Sequence, residues 1–251
     1  MSLRPAATVM VFRQSDTGPE VLLLQRSRQV GFFPSAWVFP GGRVDDTDAD
    51  FPVLGSVKGV DAAFGVAAVR ETFEEAGIWL GEGTPRQELR DALNSRTDKL
   101  PLDGSLKADL TQIRQWSWWI TPDTEPKRYD TRFFVCLVPY EPELQIVPDA
   151  SETVEARWLT PTEAIRLHLS DELFMAPPTY LTLLDMCHFT TANEIWEQAA
   201  TQFVEPIQPV HDKTVKPMEI CLPTHPNHPS QTPDLGCVSV SLNGLHWDRK
   251  C

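Results

Sequence analysis

The chain has 251 residues, 41% of them hydrophobic and 9% aromatic, enough to bury a full core in one large domain or one domain with additions. With 22 basic against 35 acidic residues the formal charge is -13, which repels phosphate backbones and anionic lipid surfaces and so disfavours nucleic-acid and membrane partners. A small anionic substrate stays open, because a bound metal inverts the local electrostatics even on an acidic protein.

The amino-terminal stretch MSLRPAATVMVF lacks a basic segment followed by an apolar signal core. Nor does the chain contain a run of about eighteen apolar residues, so the default expectation is a cytoplasmic protein. Five cysteines, Cys136, Cys187, Cys221, Cys237 and Cys251, form no CxxC pair and no zinc spacing, and read as reduced thiols.

In chain order, AATVMVF (6 to 12) and EVLLLQR (20 to 26) are aliphatic runs separated by turn residues, which predicts a strand hairpin. AWVFPGG (36 to 42) reads as a short strand ending in a Pro-Gly-Gly turn, and RVDDTDADFPVLGSVKG, with no apolar period, as a loop. From Asp61 the pattern is helical. Ala62, Val66, Val69, Phe73 and Ala76 fall on one stripe and Glu71, Glu74 and Glu75 opposite, with Asp61 placed to cap the helix and Gly77 to end it.

Residues 85 to 96 predict a polar helix, and 115 to 120, 128 to 139 and 155 to 159 predict strands. Thr160 is placed to cap a further helix, with Pro161 first and Glu163 three residues on, and helical patterns continue to about residue 204. Beyond it come seven prolines in 47 residues and no amphipathic period. This predicts a domain over 1 to 204 and an extended tail over 205 to 251, folded back over the core through Ile220, Leu222, Val238, Val240 and Trp247.

The stretch RETFEEAG (70 to 77) is the informative one. At about 100° per residue, positions i, i+3 and i+4 share a helix face, so three glutamates crowd together where the helix dipole is also negative. The repulsion costs roughly 0.2 to 0.5 kcal/mol per pair. No lysine follows at i+4 to offset it, as on an ordinary solvated face, so a hard divalent cation is the fitting counter-charge.

RETFEEAGI, preceded by FPGG, resembles the second half of the Nudix hydrolase signature, with Thr72 where an apolar residue is usual. The first half departs from it. Six residues on from Gly42 stands Asp48 and eight back from Arg70 stands Ala62, so about fourteen residues are inserted near 45 to 60, and Asp46, Asp48 or Asp61 stands in for the usual single Glu. A calcium-loop reading of DDTDAD fails, because Phe51 stands where such a loop needs Gly and Val57 where it needs a bidentate Glu.

The resemblance implies an α/β/α Nudix fold with a mixed sheet between helices, and Mg2+ or Mn2+ held by Glu71, Glu74 and Glu75. It also implies that Arg70 orients a glutamate and that Gly41 and Gly42 let backbone approach metal and phosphate. Glu152 is the candidate general base. WITPDTEPKRYDTRFFVCLVP and EARWLTPTEAI look like the branch of coenzyme A and acyl-coenzyme A diphosphatases.

On that reading the enzyme cleaves a diphosphate linkage in coenzyme A or an acyl derivative. ADP-ribose, NADH or dinucleoside polyphosphates are the alternative substrates, and a non-catalytic nucleotide sensor is the alternative function. Arg128 and Arg132, with Tyr129, are candidates for substrate phosphates or adenine. Trp116, Trp118 and Trp119 read as core, and HPNHP (225 to 229) lacks a third metal ligand. A homodimer in which tail residues complete a neighbour's pocket is left open.

Overall fold

The computed structural model describes residues 2–29, 33–141, 146–212, 219–223, 225, 228, 239–243 and 246–250. Strands β1 (Arg4–Ser15) and β2 (Gly18–Arg26) form the expected hairpin; β3 (Trp37–Val38), β4 (Gly41–Arg43), a 3-10 turn (Asp46–Asp50) and β5 (Val53–Leu54) then lead to helix α1 (Ala62–Ala76). After β6 (Gly81–Glu82), α2 (Gln87–Asn94) and β7 (Lys107–Asp109) come a second 3-10 turn (Leu110–Gln112) and the strands β8 (Arg114–Ile120), β9 (Tyr129–Leu137) and β10 (Thr153–Leu159). Helices α3 (Pro161–Leu169), α4 (Pro177–Met186) and α5 (Ala192–Thr201) follow, then short strands β11 (Pro206–Ile207), β12 (Val210–Asp212), β13 (Glu219–Cys221), β14 (Ser239–Asn243) and β15 (His246–Lys250).

The main sheet runs β10-β2-β1-β9-β8-β11, mixed because β1 pairs parallel with β9 and β8 parallel with β11. Successive residues of β1 point to opposite faces. Val9 and Val11 join Leu22, Leu24, Phe134 and Cys136 against Val66, Ala67, Val69 and Phe73 of α1. Met10 and Phe12 join Val21, Leu23, Phe133 and Val135 against Ile165, Leu183 and Ile195 of α3, α4 and α5. Burial on both faces explains why these strands read as unbroken apolar runs. Each such side chain contributes about 1.5 to 3 kcal/mol.

Four expectations are corrected. The chain reverses at Pro40 between β3 and β4, but Gly41 and Gly42 are strand rather than turn: β2 pairs with β1 only at residues 12 to 15, and the buried edge left at residues 6 to 8 takes β4, Gly41 opposite Thr8. Only glycine fits at 41, where a Cβ would lie 2.5 Å from the Ala7 carbonyl oxygen. Residues 43 to 59 are not plain loop, since the Asp46–Asp50 turn precedes a buried Phe51 packed edge-on to Trp79 and β5 pairs parallel with β7. Ala62 is exposed rather than part of the buried stripe of α1.

The tail, fourth, is not extended. Strand β11 joins the main sheet, and β12-β13-β14-β15 make a separate four-stranded antiparallel sheet. Ile220, Leu222, Val240 and Trp247 are buried in the core shared with α3 to α5, while Val238 lies outside the described residues. Distant apolar residues thus found strand partners that no local period announced.

The helix ends follow their signals. The Asp61 side chain accepts from the Ala63 N–H at 2.9 Å, and Gly77, at φ 74°, donates its N–H to the Phe73 carbonyl. Thr160 caps α3 by accepting from the Glu163 N–H at 3.2 Å, although the Glu163 carboxylate pairs with Arg166 instead of reaching back. Cys136 and Cys221 are buried and Cys187 half-buried; Cys237 and Cys251 lie outside the described residues. Among the described residues no helix is long and apolar enough to cross a membrane.

Candidate active site

Arg70 is the hub of the carboxylate face of α1. Its Nε and Nη2 grip Asp48 in a fork at 2.9 and 3.0 Å, its Nη1 donates to Glu71 at 2.9 Å and Glu74 at 3.0 Å, and Nη2 also donates to the Arg43 carbonyl. Asp48 is 2% exposed and takes the Asp45 N–H as well. Of the three aspartates that could replace the usual Glu, the structure therefore brings Asp48 to Arg70, leaves Asp46 exposed, and gives Asp61 to the helix cap. The spacing from Gly42 singled out Asp48; its partner was out of reach of the sequence. The inserted residues then fall after it.

The other two glutamate contacts are with glycines. The Gly41 N–H donates to Glu75 at 2.9 Å, and Gly42 lies so close to the Glu71 carboxylate that a Cβ there would overlap it. Both glycines are thus explained by close approach of β4 to α1. Thr72, which replaces an apolar residue, donates its hydroxyl to the Ala68 carbonyl at 2.7 Å and is fully buried without an unmet polar group.

Burial dominates the electrostatics. It pushes Glu71 up to about 7 against the pull of Arg70, with the Glu74 charge adding to the rise. Burial likewise raises Glu74 despite Arg70, and raises Glu75 well above the ordinary carboxylate range, helped by the charge of Glu71. For Arg70 burial works downward, but the hydrogen bond to Asp48 and the charges of Glu71, Asp48 and Glu74 more than offset it, so the guanidinium stays charged.

Helix α2 holds the end of α1 from outside. Arg90 Nε donates to the Phe73 and Glu74 carbonyls, both at 2.9 Å, its Nη2 to the Val147 carbonyl, and Asn94 to the Glu74 carbonyl. A cation at the carboxyl end of a helix offsets the dipole that opposes the glutamates. This side chain, 5% exposed, carried no sequence signal because its targets are bare carbonyls.

A cavity of about 830 Å3 opens over this face, lined by Gly41, Gly42, Glu71, Glu74 and Glu75 and by the cations Arg26, Arg43, Arg96 and Lys99. Glu152 stands at its edge, exposed, 3.4 Å from Arg96, with its backbone fixed by Ser27 and by the Asp149 side chain. Tyr129 lines the cavity, whereas Arg128 and Arg132 do not. Arg128 is tied to the Thr121 carbonyl and Asp123, and Arg132 lies 3.5 Å over the Trp118 ring and beside Phe64 of α1. Arg26, at the end of β2, was missed, although a cation at the strand end beside Phe-Pro-Gly-Gly was there to be read.

Residues 49–186 match the model of the NUDT19 Nudix domain. The chain belongs to the Nudix family. A crystal structure of a Nudix hydrolase from Alicyclobacillus acidocaldarius superposes with a TM-score of 0.66 at 28% identity, covering 82% of this chain and 99% of that one, so the Nudix fold expected from the signature is present. Acyl-coenzyme A diphosphatase NUDT19 of Xenopus laevis is 28% identical over 236 residues, 70% of this chain, and that of Gallus gallus 29% over 257 residues, 76% of this chain. The chain spans 62% and 68% of the length of those two relatives.

Nudix hydrolases in general use divalent metal ions. Among the described residues no three carboxylate, imidazole or thiol groups converge as a ready metal site, since Arg70 engages Glu71 and Glu74 while Gly41 engages Glu75. The donor set still suits a hard cation. It is all oxygen, and Arg70, which engages two of its members, is shared with Asp48.

Proposed function

We propose that the protein is a dication-dependent diphosphatase acting on coenzyme A and acyl-coenzyme A, with Mg2+ or Mn2+ as the ion. One observation carries the reading: a buried glutamate, Glu75, and two half-buried ones, Glu71 and Glu74, crowd the floor of a cation-lined cavity, and Arg70 engages two of the three. The relatives named acyl-coenzyme A diphosphatase support the substrate.

Glu71, Glu74 and Glu75 would hold the ion, which when bound would supply positive charge to offset the charge that develops on the diphosphate during displacement. Arg70, clamped by Asp48, orients Glu71 and Glu74. The glycines of β4 keep the floor bare so that a diphosphate reaches it, and Arg26, Arg96 and Lys99 meet its charge. Glu152 takes the proton of the attacking water; its charge already acts on Glu71 and Glu75. The water oxygen bonds to one phosphorus and the bridging oxygen leaves with the other. From coenzyme A the products are adenosine 3′,5′-bisphosphate and 4′-phosphopantetheine.

Turnover measured with Mg2+ or Mn2+ on coenzyme A, ADP-ribose, NADH and dinucleoside polyphosphates tests this. Coenzyme A compounds are expected to give the highest kcat/KM. Higher values for another compound would refute the substrate, and tight binding without cleavage of any would make the protein a sensor.

A further inference from the structure

The cavity does not end at the carboxylates. It continues past β4 onto the opposite face of the sheet, and its wall changes character on the way. Beside α1 and α2 it is charged, with Arg96, Lys99 and Glu152; beyond β4 it is mostly apolar, lined by Trp119, Phe133, Pro177, Ile220 and Trp247, with the Glu125–His211 pair as its polar edge next to Ile220. Four of these, Trp119, Phe133, Ile220 and Trp247, belong to the core cluster on the far side of the sheet from α1.

Ile220 and Trp247 come from the carboxy-terminal sheet, beyond residue 186 where the match to the family model stops. They are fixed in place. The Trp247 backbone N–H donates to His168 Nε2 at 3.0 Å, which makes Nδ1 the protonated nitrogen and gives it to the Leu173 carbonyl at 2.9 Å. The Trp247 indole donates to the Met175 carbonyl at 2.8 Å, and His168 is itself fully buried against Tyr180. Trp247 and Ile220 are 6% and 8% exposed, so the wall is a built surface rather than a loose flap.

We propose that this end of the cavity is a subsite for the acyl chain of an acyl thioester, with the carboxy-terminal sheet as the element that makes the enzyme prefer acylated over free coenzyme A. The inference rests on the diphosphatase reading above. With the diphosphate at the glutamates, the two halves of the substrate lie on opposite sides of it. The nucleotide half carries a further phosphate and suits Arg96 and Lys99. The other half is uncharged and, once acylated, ends in methylenes that suit aromatic and aliphatic walls. The volume, about 830 Å3, exceeds what a diphosphate alone needs.

The test is kcat/KM for free coenzyme A and for a series of acyl-coenzymes A of increasing chain length, in the wild type, Trp247→Ala and Ile220→Trp. Each methylene taken from water is worth up to roughly fourfold, so wild-type kcat/KM should climb along the series. Trp247→Ala should lower the ratio of long-acyl to free coenzyme A by about tenfold or more. Ile220→Trp fills the chamber and should shift the preferred chain to a shorter one, a gain of shape that a merely unfolded variant does not give. If the wild type cleaves coenzyme A but gains nothing from acylation, or if neither variant moves the ratio or the preferred length, the subsite is overturned and the diphosphatase reading stands. If the wild type cleaves no coenzyme A compound, both fall.

Discussion

Both faces of α1 are withdrawn from water, by opposite means. Val66, Ala67, Val69 and Phe73 pack on the central strands, where every contact lowers the free energy of the folded chain. Glu75, buried, and Glu71 and Glu74, half-buried, are on the other face, desolvated at a cost and held by one guanidinium and one glycine N–H. The helix thus anchors a destabilised face with a stabilising one, as expected where charge is kept for a ligand rather than for the fold.

Replacement at the packed face should be the largest blow to stability. Phe73→Ala removes a ring packed edge-on to Trp79 and should cost about 3 to 5 kcal/mol in denaturant unfolding, with kcat of the still-folded fraction retained. Loss of kcat at full occupancy of the fold would blur the division between the faces. Next comes Asp48→Ala, which leaves the Arg70 guanidinium buried without its fork and should cost about 3 kcal/mol. This variant should lose activity as well, because Glu71 and Glu74 lose their fixed partner. Full activity in a folded Asp48→Ala protein would mean that Arg70 does not orient them.

The smallest effect has the opposite sign. Burial raises Glu71 from 4.5 to about 7, so in chelator its contribution to stability is fully present below pH 4.5 and is lost as pH rises through about 7. Melting in chelator should therefore fall across that window, and Glu71→Gln should flatten that fall. Added Mg2+ should protect the wild type there and not the variant. A melting temperature that rises with pH over the same window would contradict the assignment of burial as the dominant cause.

What the sequence made legible follows range. The hairpin, the caps at Asp61, Gly77 and Thr160, and the glutamate spacing are local and were readable from a few neighbouring residues. Asp48 was half readable: its spacing from Gly42 marked it, but its salt bridge spans 22 residues of separation. Arg90 and the tail were not readable. Arg90 acts on backbone carbonyls, which no side-chain pattern reveals, and β12 to β15 find one another across stretches rich in proline where no local period exists. The Arg128 and Arg132 pair shows the converse. Charge alone suggested phosphate, while pairing with Asp123 and stacking on Trp118 direct both away from the cavity.

The most direct measurement is the rate of coenzyme A cleavage across an Mg2+ or Mn2+ titration for the double variant Glu74→Gln/Glu75→Gln. The account predicts a loss on the order of a thousandfold or more at every ion concentration, since the loss of two of the three carboxylates leaves little to hold the ion. An unchanged rate with an unchanged half-saturating concentration would contradict it.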